Sequence, residues 1–304
     1  MYDIIVVGGG PAGLTAAVYA RRAGKSVLVI EKNSFGGQIA FSPKVENIPG
    51  TISISGAAFA DALVEQAMNL GAEVELEKVI SLEKTENGFA VSTEEGSCFA
   101  GRTVILALGV KHRLLGLEGE QELIGNGISF CAVCDGAFYT GQHAAMIGGG
   151  NSALQEALLL SEVCSKVTVV QNLPFFTGEK TLSDALTAKD NVEVFFSTLV
   201  TGYESENGSL TALKLRSEET GEERRLPVDG AFLAVGLAPE NEPFADLARL
   251  NDYGYFASDE SCTTATPGIF VAGDCRSKTI RQVVTASADG ATAAMAACRY
   301  LEQQ

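Results

Sequence analysis

The apolar residues of this chain fall into short unbroken runs, each closed by glycine. Ile4-Ile5-Val6-Val7 is the first such run, and a run of this kind predicts a strand buried on both faces of a parallel sheet. Gly8-Gly9-Gly10-Pro11-Ala12-Gly13 follows at once, then an alanine-rich stretch from Leu14 to Ala23 that predicts a helix ended by Gly24. A second strand is expected over residues 26–30, with Glu31 at its end. The order repeats further along. Ala144-Ala145-Met146-Ile147 predicts a strand, Gly148-Gly149-Gly150-Asn151-Ser152-Ala153 a turn, about 152–163 a helix, and 166–170 another strand. Near the end, Gly268-Ile269-Phe270-Val271-Ala272-Gly273-Asp274 predicts a strand closed by Gly-Asp. Arg281-Gln282-Val283-Val284 then opens an alanine-rich helix reaching about Leu301.

The first turn has the spacing G-x-G-x-x-G. Gly8 permits the tight turn, Gly10 lets a pyrophosphate approach the backbone, and Gly13 lets the helix pack against the strand. The helix N-terminus offers free N–H groups and the positive end of a dipole to phosphate. Glu31, about 20 residues on, is placed to bond ribose hydroxyls. These features together predict a dinucleotide site.

The second turn differs where its second strand ends. An acid there would hold a ribose, and basic residues just beyond would hold a 2′-phosphate. The chain reads Gln171-Asn172-Leu173-Pro174-Phe175-Phe176-Thr177, with no Arg between Glu156 and Thr211. Residues 112–241 carry 8 Lys and Arg against 18 Asp and Glu, a net of −10. Two readings follow: neutral hydrogen bonds to NAD(P)H with weak selectivity, or a scaffold that binds a pyridine nucleotide poorly.

The chain of 304 residues is long enough for two domains, and its net charge of −16 argues against nucleic-acid binding. No apolar run is long enough to span a membrane, and no basic leader precedes the first strand, so a cytoplasmic location is expected. Seven cysteines argue against a structural disulfide framework in such a setting. No His/Cys spacing suggests zinc, and no metal site is expected. Five cysteines stand alone in sequence; Cys131-Ala132-Val133-Cys134-Asp135-Gly136 holds the other two. The C-x-x-C spacing at a helix start lowers a thiol pKa and allows a disulfide/dithiol cycle, with Asp135 able to give or take the proton. Half of a zinc site is the competing reading, but no second close pair exists.

These motifs, in this order, resemble the low-molecular-weight thioredoxin reductase family of FAD-dependent disulfide oxidoreductases. Gly8, Gly10, Pro11, Ala12, Gly13 and Glu31 match its FAD fingerprint. Gly36-Gly37-Gln38 and Val45-Glu46-Asn47-Ile48-Pro49-Gly50 match flavin-site segments, and Ala107-Leu108-Gly109 resembles its turn at the exit of the first domain. Gly273-Asp274 and Arg281-Gln282-Val283 match the closing FAD motif.

The resemblance implies an α/β fold of two Rossmann-like, three-layer ββα domains. The FAD domain would be split over 1–112 and 242–304 around a central domain at 113–241. It implies a homodimer, a swing of one domain against the other, and thioredoxin as the disulfide substrate. Cys134 would face the flavin, Cys131 would attack the substrate, and Asp135 would handle the proton. NADPH-using members carry a basic cluster where this chain has Gln171 to Thr177. That departure is similar to the ferredoxin-dependent flavin thioredoxin reductases, so reduced ferredoxin is the expected donor. Lys111, His112, Arg113, Arg276, Lys278 and Arg281 are candidates for docking it. NADPH or NADH as donor is the first alternative, and a flavin-binding redox sensor without steady turnover is the second.

Overall fold

A computed structural model describes residues 1–41, 45 and 47–304, together with all of their side chains except those of Phe41 and Cys134. Glu46, in one expected flavin-site segment, lies outside the described residues. The chain forms two compact units, residues 1–111 with 238–304, and residues 112–237.

The first unit begins with β1 (Tyr2–Val7), α1 (Pro11–Arg22) and β2 (Val27–Glu31). Residues Ile4 and Val6 face one hydrophobic core while Ile5 and Val7 face another across the sheet. Successive strand residues point to opposite faces, so a strand buried on both sides needs apolar residues throughout. Pro11 starts α1 without loss, because its missing N–H would have had no helical partner. Next come α2 (Gly56–Asn69), β3 (Glu73–Leu76), β4 (Val79–Thr85), β5 (Gly88–Thr93) and β6 (Cys98–Leu106).

The second unit holds β7 (Lys111–His112, whose first residue belongs to the first unit), α3 (Glu120–Leu123), β8 (Ile128–Ser129), α4 (Ala132–Asp135) and β9 (His143–Ile147). It continues through α5 (Asn151–Val163), β10 (Lys166–Val170), α6 (Lys180–Thr187) and β11 (Val192–Phe195). An antiparallel sheet of β12 (Thr198–Glu206), β13 (Ser209–Ser217) and β14 (Glu223–Pro227) follows, then β15 (Gly230–Leu233). The parallel sheet runs β11-β10-β9-β15-β8. After β16 (Leu237–Ala238) the chain completes the first unit with β17 (Ile269–Val271) and α7 (Val283–Glu302). There β17 pairs with β6, in a sheet ordered β3-β2-β1-β6-β5-β4.

The compact units part at Leu237/Ala238, ahead of the 241/242 joint expected from sequence. The physical reason is local. Glu240 pairs with both Lys32 and Lys111, and Asn241 donates to the carbonyls of Gly254 and Cys275. All four partners lie in the first unit.

Two helices of the first unit touch backbone to backbone. A Cβ on Gly290 of α7 would lie 2.1 Å from the Ala12 carbonyl oxygen of α1, so no side chain fits there. Beside it in the helix, Asp289 is buried and accepts hydrogen bonds from the Gly273 N–H, the Arg276 guanidinium and the Lys278 ammonium. Arg276 is the largest fully buried side chain, at 2% exposure. Burial alone would raise the Asp289 carboxyl, but the bonds to Arg276 and Lys278 outweigh it and hold the pKa below the ordinary value. Its folded pKa is therefore depressed, and the stability it contributes is present above the unfolded value and lost as pH falls through the folded one.

Replacing Asp289 by Asn leaves buried Lys278 without its ion-pair partner and Arg276 with only the exposed Glu260 carboxylate at 3.4 Å. Urea unfolding should show a loss of about 3–5 kcal/mol at neutral pH. The gap between variant and wild type should narrow as pH drops below about 4, where the unfolded chain's carboxylate begins to take up a proton that the folded one still refuses, and close once the pH has passed the lower folded pKa.

Candidate functional site: two dinucleotide-type turns and a disulfide loop

The turns after β1 and β9 are built alike, each by its own unit. The Gly8 N–H bonds the Ile30 carbonyl at 2.8 Å and the Gly148 N–H bonds the Val170 carbonyl at 2.9 Å. Both glycines hold positive φ, +108° and +130°. A Cβ would lie 2.3 Å from the Ala107 oxygen at Gly8 and 2.4 Å from the Ala234 oxygen at Gly148. Glycine is thus demanded at both by backbone conformation and by a neighbouring carbonyl. Gly10 and Gly150 are N-caps of α1 and α5, in extended conformation and with no side-chain cap. The first N–H groups of both helices have no capping side chain, which suits them to an anion.

The first turn gathers the residues singled out in the sequence. Glu31 accepts from the Gly9 N–H at 2.7 Å and from the Asn33 N–H at 3.0 Å. A Cβ on Gly10 would meet nothing closer than 3.9 Å, at the Gly36 oxygen, with the Gly37 Cα at 4.0 Å. The protein's own packing does not require glycine there. Gln38 donates to the Val110 carbonyl, and Asn47 donates to the Gln282 side chain at 3.0 Å. Gly109 holds φ +66°, and a Cβ there would meet nothing within 4 Å. Gln282 caps α7 through a reciprocal bond with Thr285, and Val283 is the first helical residue. Arg281 donates to the Asp274 carbonyl at 3.2 Å and lies over the Tyr255 ring at 4.2 Å. Gly273 packs on Ala12, and the buried Asp274 Oδ1 has no hydrogen-bond partner. Burial raises its carboxyl, with Lys278 and Arg281 acting the other way. An unpartnered buried carboxylate oxygen calls for a donor from outside the protein.

The second turn is closed over by its own loop. Gln171 is 4% exposed; its Nε2 donates to the Phe175 carbonyl at 3.1 Å, and a Cβ on Gly149 would strike this amide at 2.5 Å. The Thr177 and Gly178 N–H groups bond the Gly149 carbonyl. Asn151, the first residue of α5, bonds both the backbone N–H and the carboxylate of Glu179. An acidic group is therefore tied to the side chain of the helix's first residue.

The cysteine loop leaves β8. Cys131 is disulfide-bonded, whereas Cys98, Cys164, Cys262, Cys275 and Cys298 are free. Burial raises the thiols of Cys164, Cys262, Cys275 and Cys298, which suits packing roles. The helix expected after Cys131 is a single turn, Ala132–Asp135, continued by a 3-10 turn over Gly136–Tyr139. It is too short for the dipole argument made from sequence. Its first N–H, that of Ala132, is occupied at 3.1 Å by Glu156 of α5. Ser129 links the loop: its hydroxyl donates to Asp135 Oδ2 at 2.5 Å and accepts from the Cys131 N–H at 3.1 Å. Neither Ser129 nor Glu156 was found by sequence reasoning. Ser129, two residues before the pair, could have been suspected as a capping hydroxyl. The placement of Glu156 depends on tertiary packing.

The basic docking candidates fare differently. Arg276 and Lys278 are buried on Asp289, so they cannot form a surface patch. Lys111 is paired with Glu240, and Arg281 lies on Tyr255. Among the described residues there is no cluster of three or more metal-ligating side chains, and no helix is long and apolar enough to cross a membrane.

Two dinucleotide-type turns in one chain, with a disulfide-bonded cysteine in the second unit, define the class: an oxidoreductase built on paired nucleotide-binding folds. The chain belongs to the pyridine nucleotide-disulphide oxidoreductase family, whose profile matches residues 2–290. It is 38% identical over 306 residues to a thioredoxin reductase of Listeria monocytogenes, covering 100% of this chain and 95% of the relative. It is 38% identical to that of Bacillus subtilis, covering 100% and 96%. The crystal structure of Lactococcus lactis thioredoxin reductase (FR conformation) superposes with a TM-score of 0.87 at 32% identity, covering 100% of both chains.

Ser129→Ala would remove the hydroxyl that accepts from the Cys131 N–H and donates to the Asp135 carboxylate. Hydrogen exchange should show the Cys131 amide about tenfold faster, from a loss of ~1–3 kcal/mol, with the β9 amides unchanged.

Proposed function

We propose that this chain is a flavin-dependent thioredoxin reductase whose redox pair is Cys131 and Cys134 and whose electron donor is reduced ferredoxin. The first unit is the FAD domain and the second the redox domain, and the working form is a homodimer. The observation that carries the reductase reading is the disulfide-bonded Cys131 beside Ser129 and Asp135, in a chain whose relatives are thioredoxin reductases.

The first turn fits FAD. Gly8, Gly10, Pro11, Ala12 and Gly13 would receive the pyrophosphate at the start of α1, and Glu31 the ribose. Asp274 Oδ1 awaits a hydroxyl donor, and Gly37, Gln38, Asn47, Gly109, Gly273, Arg281, Gln282 and Val283 complete the cradle. When bound, FAD supplies a carrier that holds electrons singly or in pairs.

The protein's own residues then do the sulfur chemistry. The disulfide takes two electrons and two protons and becomes two thiols. The Cys131 thiolate attacks a disulfide sulfur of thioredoxin, breaking that bond and forming a mixed disulfide. Cys134 attacks Cys131 and releases thioredoxin as a dithiol. Asp135, held by the Ser129 hydroxyl, is placed to move the proton.

The donor reading rests on the second turn. Gln171 is folded into its own loop, Glu179 stands at the start of α5, and no basic side chain follows directly after β10. One observation favours NADPH or NADH instead. Gly150 would tolerate a side chain, with nothing nearer than 3.7 Å, yet it is glycine, as a bound pyrophosphate would require.

Anaerobic flavin absorbance separates the two. Pre-reduced ferredoxin should bleach the flavin within seconds, while stoichiometric NADPH and NADH leave it oxidised over the same time. Rapid bleaching by either nucleotide would overturn the donor assignment. The order of the cysteines has its own signature. Cys131→Ser should show a long-wavelength absorbance band from a thiolate beside the flavin, and Cys134→Ser should not; the reverse pattern would exchange their roles.

A further inference from the structure

We infer that Glu156 is a positioning residue for the redox loop: its carboxyl group holds the first N–H of the helical turn carrying the pair, and it governs how well that loop tolerates negative charge once the disulfide opens. The inference rests on the disulfide-reductase reading and adds to it a residue outside the cysteine motif.

The geometry is direct. Glu156 lies on α5, which packs against α4 and the 3-10 turn after it. Its Oε2 accepts from the Ala132 N–H at 3.1 Å, and Ala132 is itself 6% exposed. This N–H belongs to the peptide joining Cys131 to Ala132, so the carboxyl is one peptide away from a reacting residue. The ionisable groups on the elements packed against α5 are Asp135, Tyr139, His143, Lys166, Lys180 and Asp184. None makes an ion pair with Glu156; Lys166 is paired with Glu193, and Lys180 with Asp184. Burial lifts the Glu156 carboxyl to about 7, with the Ala132 N–H pulling it partway back. A group so placed has no structural need of a charge, since a neutral amide would accept the same hydrogen bond.

Chemistry gives the charge a purpose. Opening the disulfide consumes two electrons and two protons, and a thiol that ionises afterwards leaves a negative charge on this loop. An ionised Glu156 both repels that charge and occupies the N–H that would stabilise it. A protonated Glu156 removes the repulsion. The carboxyl therefore biases the loop against the thiolate and toward the disulfide, making the pair a stronger reductant than a neutral side chain would.

The test is a pair of variants in the full-length flavoprotein. Glu156→Gln keeps an acceptor for the Ala132 N–H and removes the charge. Its thiols should react with iodoacetamide about threefold to tenfold faster at pH 7. Its equilibrium with a dithiothreitol redox buffer should move toward the dithiol by a similar factor, where tenfold corresponds to about 30 mV. Glu156→Asp, which keeps the charge, should lie nearer to wild type in both measurements. If Glu156→Gln matches wild type in alkylation and in redox equilibrium, the inference is wrong, whatever the variant's melting temperature. If the wild type itself shows no two-thiol couple in the buffer series, the disulfide-reductase reading fails first and takes the inference with it.

Discussion

Both halves of this molecule depend on one steric constraint. Where the first strand of each Rossmann-type unit turns into its helix, a backbone carbonyl of a neighbouring strand end stands where a β-carbon would be. At Gly8 the obstacle is the Ala107 oxygen, and at Gly148 it is the Ala234 oxygen. The strand, the turn and the helix can close together only with glycine and positive φ. That closure aims the helix N-terminus at the carboxyl end of the sheet, where α/β proteins of this kind bind their ligands. The rest of each site is arranged around this direction. The two units diverge only after it, in what the second strand carries at its end.

That divergence separates an outward carboxylate from an inward amide. Glu31 is anchored by two backbone N–H groups at the lip of the first turn. Gln171 is buried against Gly149 and bonded to its own loop. A one-residue chemical difference, acid to amide, changes which partner is preferred: a carboxylate accepts from the turn's N–H, while an amide can donate to a loop carbonyl. The neighbouring loop then folds onto the glycine turn and brings Glu179 to the helix start.

Much of this was legible in the sequence because it is local. Ile4–Val7 and Ala144–Ile147 read as strands because both faces of a buried strand are apolar. The glycine spacing reads as a turn because positive φ and close approach exclude other residues. Cys131 to Gly136 is read from the motif itself. The remainder was hidden because it depends on distant pairings. Arg276 and Lys278 read as a surface patch, yet both serve Asp289, which follows them by 13 and 11 residues on a packed helix. Glu156 lies 24 residues from the Ala132 N–H it holds. The one-turn length of α4 had a signal that went unused, since Gly136 directly follows its last residue, Asp135.

The split organisation of the first unit has a consequence for how the chain is made. Residues 112–237 are contiguous, and their parallel sheet closes using strands from that segment alone. The amino-terminal unit cannot close in the same way. Its strand β6 receives β17 as a partner along Val104 to Leu106, and α1 receives Gly290 of α7, both from more than 160 residues downstream. At synthesis rates of ~5–20 residues per second, the β6 edge waits on the order of ten seconds or more before its partner exists. The central unit is therefore able to close first on the ribosome, while the amino-terminal sheet stays incomplete until residues 269–302 have been made. Truncation ahead of α7, far in sequence from the first glycine turn, would leave α1 without the helix against which it packs.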